Sequence, residues 1–339
     1  MFQKKVLMTF LLISFLIISN FTVGGKSTTL DKNKLEKSTN TIYVDDDGGE
    51  DYTKIQDAID NASIGSTIFV YNGNYTEKLK INKTLILVGE NHIKTNIRGE
   101  GTFEICANNV NVSNFAIDNS KGMIVNSSSI GNTIFKNIFN LQHSYFSLNL
   151  KQSSNNHIHN NSFLGSYGSV FLDNTNNNYI YDNKINGIRY GINLEKSCNN
   201  VIYNNRFDGA IQGLNIKSES CRNIVYKNEI YGFPFESNSF CLKISESSNE
   251  NEIFQNEIRL NIKGIVIESN SKNNKIHNNN FINCLIKATF NKAPLNSWKG
   301  NYWGRARILP KIIYGRGGIT GLLPLINIDW RPSMEPNDT

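Results

Sequence analysis

Between about residue 110 and residue 285, apolar and polar positions alternate in short runs, and the runs recur as a set. One run reads Ile134-Phe135-Lys136-Asn137-Ile138-Phe139; the next copies are Ile158-His159-Asn160-Asn161-Ser162-Phe163 and Ile180-Tyr181-Asp182-Asn183-Lys184-Ile185. It continues as Ile202…Asn205…Phe207, Val225…Asn228…Ile230, Ile253…Asn256…Ile258 and Ile276…Asn279…Phe281. With an earlier copy ending at Asn114, the anchor asparagines fall at steps of 23, 24, 22, 22, 23, 28 and 23 residues. A second alternating run follows each copy, as in Leu148-Asn149-Leu150, Val170-Phe171-Leu172, Ile192-Asn193-Leu194 and Leu214-Asn215-Ile216. Period-two alternation between Gly, Asn and Ser turns predicts short strands rather than helices. A fixed period of this size predicts one unit stacked on itself. No leucine-rich consensus or helical arc is present, so the pattern predicts an all-β chain in which each unit is one turn of a parallel β-helix, each turn about 4.8 Å above the last. The anchor asparagine suits a left-handed turn, and stacked asparagines can hydrogen-bond from turn to turn, which makes them scaffold.

The ends depart from this pattern. Lys4 and Lys5 precede a 13-residue apolar run, Val6 to Ile18, with small and polar residues after it. This predicts a signal peptide over 1–25 and a flexible leader over 26–40. The run is short of the roughly 20 residues of a membrane span, although an uncleaved anchor is the alternative. Residues 41–109 are expected to hold an N-terminal cap and first turns. There Thr53-x-x-Gln56 reads as a capping box, ahead of a helix with Ile55, Ala58, Ile59 and Ala62 on one face. That helix would cover the open first turn, whose bare strand edges invite aggregation. Residues 110–290 are the repeats, and 291–339 a C-terminal cap with all three tryptophans, Trp298, Trp303 and Trp330.

The runs Asp51 to Asp60, Ile68 to Tyr75 and Ile81 to Asn91 resemble the opening of secreted, right-handed parallel β-helix proteins of the NosD-like group. That group is also described as carrying carbohydrate-binding or sugar-hydrolysis β-helix domains. The tail, Trp298-Lys299-Gly300-Asn301-Tyr302-Trp303-Gly304 with Asn327 to Pro332, is similar to the ending of archaeal, especially methanogen-type, members. The resemblance spans about residues 41–335 and implies a single-stranded right-handed parallel β-helix of the pectin-lyase-like kind. For function it implies enzymes, maturation factors and surface proteins alike.

Charge changes the picture only at one end. The formal net charge is +6, and from Lys292 onward seven basic residues face three acidic ones. A basic cap of this kind can touch an anionic cell envelope. It lacks the long basic stripe with stacking aromatics of a nucleic-acid binder. Of five cysteines, Cys198 and Cys221 each lie seven residues before an anchor asparagine and so stack on adjacent turns, within reach of a disulfide. Two small side chains in a buried column is the alternative. Cys106, Cys241 and Cys284 are expected to be buried. Several Asn-x-Ser/Thr sequons (Asn61, Asn74, Asn82, Asn111, Asn126, Asn160) are glycan acceptors only in a glycosylating host.

Candidate chemistry is sparse. Neither Gly-His-Gly nor Arg-Ile-Lys, which a polygalacturonase set would resemble, occurs. Asp173 and Glu195 follow the second run at equivalent positions and could form a carboxylate pair, but Lys151 and Lys217 flank them in the column Lys151, Asp173, Glu195, Lys217, as in a salt-bridged ladder. Asp45, Asp46, Asp47 and Asp51 offer oxygen ligands for calcium. Copper, which the resemblance raises, would need imidazole or sulphur; His157 and His159 share one strand face, whereas His277 lies five turns off. The position after each inward Ile or Val reads Phe135, His159, Tyr181, Tyr203, Tyr226, Phe254 and His277. Alternation puts that column outside, where rings stabilise a flat surface or receive a polysaccharide or partner. The expected function is therefore a secreted or cell-surface β-helix that binds glycan or a surface partner without catalysis and without a required cofactor. A polysaccharide lyase or hydrolase and a copper maturation factor are the alternatives.

Overall fold

Each alternating run forms a strand and pairs in parallel with its own copy one turn further on. The computed structural model describes residues 41–119, 121–141, 146–165, 167–186, 189–318 and 323–339; the expected signal and leader lie outside them. A coil has three strands, as in His157–His159, Ser162–Leu164 and Gly168–Asp173, after which Tyr179–Tyr181 begins the next coil above His157–His159. Among the described residues the pairings form one 24-stranded and one 10-stranded sheet, wound into a right-handed parallel β-helix of about 12 turns. Inward residues line up by register: Ile134, Ile158, Ile180 and Ile202 in one column, Leu150, Leu172 and Leu194 in another. All of these are fully buried. The core is thus a set of apolar columns, with Phe139 stacked on Phe163 at 4.8 Å in a third. Thr41–Val44 pairs with Thr67–Val70, and that strand with Ile86–Gly89, so residues 41–109 are the first coils of the same stack.

The asparagines form ladders, as expected, but two rather than one. At the first corner of each coil Asn137, Asn161, Asn183, Asn205, Asn228, Asn256 and Asn279 are buried. The backbone N–H and side-chain amide of each donate to the Oδ1 of the next, as Asn183 does to Asn205 at 3.1 and 2.9 Å. Five residues earlier, Asn132, Asn156, Asn178, Asn200, Asn223, Asn251 and Asn274 make an equal ladder at the other corner, ending on Asn296. A hydroxyl ladder lies three residues before it, where Thr175, Ser197, Ser220 and Ser248 each donate a backbone N–H to the next hydroxyl.

Two expectations about the anchor need correction. The left-handed residue is the one before the anchor: Lys136, Asn160, Asp182, Asn204, Lys227, Gln255 and Asn278 have φ between +51° and +55°. Gly300 takes that position in the last copy, with φ +67°. The anchor side chain itself turns inward, where only its amide can close the buried corner. Asn114 is likewise in the left-handed position, at φ +64°. Ser113 pairs with Phe135, which puts Phe115 in the ladder position; its N–H donates to Asn137 Oδ1 at 3.1 Å.

Both ends are closed by groups remote in sequence. The helix, Ile55–Asn61, buries Ile55, Ala58 and Ile59. Its N-terminus has no side-chain cap from the Thr53–Gln56 box; Glu77 accepts from the Ile55 and Gln56 N–H groups at 2.9 Å each. The box fails because the N-cap position falls on Lys54 rather than Thr53 and the Gln56 side chain is taken by the Lys80 backbone, whose N–H donates to Gln56 Oε1 at 2.8 Å. At the far end Asn301 extends the first ladder, and its N–H and amide donate to buried Asp329 at 3.0 and 3.1 Å. Gly300 N, Arg331 N and Trp303 Nε1 also donate to that carboxylate. Trp303 stacks on Phe281 at 4.6 Å and Trp298 is buried, whereas Trp330 stays outside. The described residues contain no helix long and apolar enough to cross a membrane.

The central rung carries the largest cost of removal. Asn205→Ala leaves the Asn183 donors and the Ile180 and Tyr203 carbonyls short of a partner; chemical denaturation should show a loss of about 2–3 kcal/mol. A loss below about 0.5 kcal/mol would mean that the ladder is decorative.

Candidate functional site

The strand bounded by the two asparagine ladders carries the ring column on its outer face. Phe135, His159, Tyr181, Tyr203, Tyr226, Phe254 and His277 are register partners on successive coils. Their centroids are 4.7–5.2 Å apart and their planes within 4–14° of parallel. Each ring is half-buried. The column therefore spares its faces for itself: a sugar ring cannot lie flat on them except at the two ends. What faces outward is a row of ring edges with the hydroxyls of Tyr181, Tyr203 and Tyr226. Such pairs each contribute about 0.5–1.5 kcal/mol beyond area burial, so the column also stabilises the stack. Burial, together with Asp182, raises the Tyr181 hydroxyl pKa above its usual value; burial and the neighbouring tyrosines do the same for Tyr203. Both hydroxyls are neutral donors near pH 7.

Beside the middle of this row lies an open depression of about 500 Å³, lined by Asp182, Asn183, Lys184, Asn204, Arg206 and Asp208. Asp182 and Asn204 are there because they occupy the left-handed corner directly after Tyr181 and Tyr203. Lys184 and Arg206 are register partners on the next strand, as the Ser162–Lys184 pairing is one coil earlier. Arg206 pairs with Asp208 at 3.0 Å and Glu229 at 2.8 Å, and its guanidinium lies 4.8 Å from the Tyr231 ring centroid. Those acids hold the Arg206 pKa above its usual value. These polar residues were invisible as a group in the sequence, since they come from two strands and a corner of two coils. The signal was Asp182 and Asn204, which directly follow Tyr181 and Tyr203. The 28-residue step includes Phe233 and Phe235, both exposed.

The carboxylate pair occupies a different face. Lys151, Asp173, Glu195 and Lys217 are successive register partners, as read from the sequence. Lys217 holds Glu195 at 2.7 Å, and Lys243 holds Glu268 in the same way. Asp46 accepts from Asn74 N at 2.8 Å and Asp45 from Asp47 N at 3.2 Å, whereas Asp51 turns away to the Tyr43 N–H at 2.9 Å. Asp45, Asp46 and Asp47 alone remain close together, and they are the one group of three neighbouring His, Cys or acidic side chains among the described residues.

The two paired thiols and the imidazoles are equally engaged. Cys198 and Cys221 are disulfide-bonded, with Cα atoms 4.6 Å apart. Cys241 and Cys284 are buried, as expected; Cys106 is only half-buried, because it falls just past the strand Phe103–Ile105, where Asn126 donates to its sulphur at 3.2 Å. His157 stacks on Tyr179 at 4.9 Å, and His159 is held between Phe135 and Tyr181 with Nδ1 2.9 Å from the Asn160 amide. Burial lowers the pKa of both.

Residues 141–307 match the family model described as "Periplasmic copper-binding protein (NosD)". No curated protein matches the chain. Among solved structures it is similar to DFA-IIIase from Arthrobacter chlorophenolicus A6 in complex with DFA-III, at 14% identity and TM-score 0.60, over 78% of this chain and 84% of that one. It is also similar to the A-module of the Azotobacter vinelandii mannuronan C-5 epimerase AlgE6, at 15% identity and TM-score 0.53, over 73% and 87%. A GH87 alpha-1,3-glucanase catalytic domain in complex with nigerose matches at 14% identity and TM-score 0.56, over 82% and 67%. At these identities the likeness is one of fold, and it defines a pectin-lyase-like parallel β-helix. Within that class the chain is a NosD-like β-helix, by its match over residues 141–307.

The donors present do not fit copper. His157 and His159 have no third soft or imidazole ligand beside them among the described residues, and His277 lies about 24 Å away, five coils on, bonded to Glu252 at 3.0 Å. Cys241 and Cys284 hydrogen-bond to each other inside the core, where burial pushes the Cys241 thiol well up and keeps it protonated. The Asp45–Asp47 oxygens are hard donors, suited to other ions.

The two half-buried imidazoles, His157 and His159, make stability depend on pH. Their pKa values are lowered on folding, so the unfolded chain binds more protons as pH falls through its own pKa near 6.5, and stability drops with it. Melting curves should show Tm falling between pH 7 and pH 5, and His157→Tyr/His159→Phe should flatten that fall while leaving Tm at pH 7.5 nearly unchanged. An unaltered slope in the double variant would contradict the assignment.

Proposed function

We propose that the chain is a non-catalytic carbohydrate-binding β-helix acting at the cell surface, and that a polysaccharide lies across the Tyr181–Tyr203 edge into the polar depression beside it. The observation that carries this reading is the juxtaposition of stacked tyrosine hydroxyls with Asp182, Lys184, Asn204, Arg206 and Asp208 in one open depression. Sugar hydroxyls are both donors and acceptors, and this set offers carboxylates, an amide, an ammonium and a guanidinium within one footprint. Planar side chains already held by neighbours lose little entropy on binding. Arg206, fixed between Asp208 and Glu229, is preorganised in that sense. The carbohydrate-related titles of the structural neighbours agree with the reading, and the family's periplasmic description agrees with a place outside the cytoplasm.

Glycan-array binding followed by calorimetry tests this. Tyr181→Phe/Tyr203→Phe keeps the ring stack and removes only the hydroxyls, so it should leave Tm in place and weaken binding about tenfold. Arg206→Ala should weaken it at least as much. Absence of binding to any array glycan, or affinities untouched by both variants, would sink the proposal. Catalysis by Asp173 and Glu195 is the competing reading, favoured by their register on adjacent coils. It requires release of reducing or unsaturated ends from the bound glycan, abolished by Asp173→Asn; binding without any such release excludes it.

A further inference from the structure

The C-terminal strands Lys311–Gly317 and Leu323–Asp329 pair antiparallel and lie over the last coil. Their inner face is used: Ile313 is buried, Gly315 sits against the Phe290 ring, and Leu325 packs on the core. Residues directly opposed in such a pair share a face. Ile312 with Ile328, Tyr314 with Ile326, and Arg316 with Pro324 therefore make up the outer face. An outer strand face is ordinarily polar. This one is apolar, with Tyr314 68% and Ile326 55% exposed. Ile308, Leu309 and Trp330, at the base of the hairpin, are 87%, 74% and 69% exposed. Nothing among the described residues covers them.

Two arginines accompany this apolar face. Arg316 lies on it, opposite Pro324, and Arg331 follows Trp330; both are exposed. Lys311, opposed to buried Asp329, belongs to the inner face, where its ammonium stands 5.8 Å from the Trp303 ring centroid. Neither Arg316 nor Arg331 forms an ion pair with a described acidic residue. The one acid within the hairpin, Asp329, is buried and taken by five N–H donors.

We infer that the outer face of this hairpin docks on an anionic phospholipid surface, its apolar residues entering the headgroup boundary and the basic groups at its ends taking lipid phosphates. A second copy is a poor occupant, because a two-fold contact through the same patch would bring two sets of uncompensated arginines together. A soluble anionic polymer would meet the cations and leave the apolar face in water. Exposed Trp and Tyr beside Lys and Arg is the arrangement that suits the membrane–water interface.

Co-sedimentation of the full chain with phosphatidylglycerol–phosphatidylcholine vesicles, against pure phosphatidylcholine vesicles, tests the inference. Wild-type protein should partition onto the anionic vesicles, less so as salt rises. Arg316→Glu/Arg331→Glu should reduce that partitioning about tenfold or more, at roughly 1 kcal/mol per basic residue near an anionic surface, and Tyr314→Ser/Ile326→Ser should reduce it by a similar factor. Quenching of exposed Trp330 by brominated lipid reads insertion in the wild type itself, so an unstable variant does not leave the question open. Equal binding to both vesicle types, hairpin variants that bind like wild type, or a dimer in sedimentation velocity that Tyr314→Ser/Ile326→Ser dissolves would each overturn it.

Discussion

A buried corner in a tightly wound coil leaves backbone N–H and C=O groups that no strand partner reaches, and those groups must be satisfied from within. In this protein the asparagine side chain does that work. Its amide donates to a carbonyl of the coil before and to the asparagine oxygen of the coil after, while its oxygen takes two N–H groups, as Asn205 does between Asn183 and Asn228. Two ladders five residues apart clamp both ends of the same strand. With both ends fixed, one residue between them points inward and its neighbours point out, coil after coil. The ladder needs an end that accepts without offering an amide of its own, and Asp329 is that end. A carboxylate with five N–H donors can be buried without a cation.

The ring column follows from that clamp. Rings on strands free to slip or twist would splay. On strands pinned at both corners they superpose within 4–14°. The same superposition consumes the ring faces and leaves a line of edges and hydroxyls, so recognition at this surface rests on hydrogen bonds more than on stacking. The depression beside it is another consequence of the corner, because the left-handed residue after each ring is free to be Asp182 or Asn204 as long as its backbone fits.

How much of this was legible differed from residue to residue. The repeat, its strands, the outward ring column, the Lys151-Asp173-Glu195-Lys217 column and the Cys198–Cys221 pairing could all be placed, because each depends on counting positions modulo the period. The second ladder is present in the same count, as an asparagine five residues before every anchor, but asparagine in a turn needs no special explanation, so the count does not single it out. Asn114 lies one residue short of the ladder: in its coil Phe115 takes the ladder position, and a count anchored on asparagine alone slips to the nearest one. Glu77 as the helix cap, Asp329 as the ladder's end, and the meeting of Lys184, Arg206 and Asp208 with Asp182 were out of reach. Each joins residues whose contact depends on how coils superpose rather than on local spacing.

The sequence by itself determined the architecture and the column to which each repeat residue belongs, since a β-strand alternates every second residue and a solenoid returns every coil, and both are arithmetic on one string. Only the tertiary structure decided what those columns present to solvent. Whether rings offer faces or edges depends on the stacking distance between coils. Whether a C-terminal strand buries one apolar face or leaves a second one open depends on what packs against it, as Ile312 and Ile313, adjacent in the chain and identical, end one 39% exposed and one in the core.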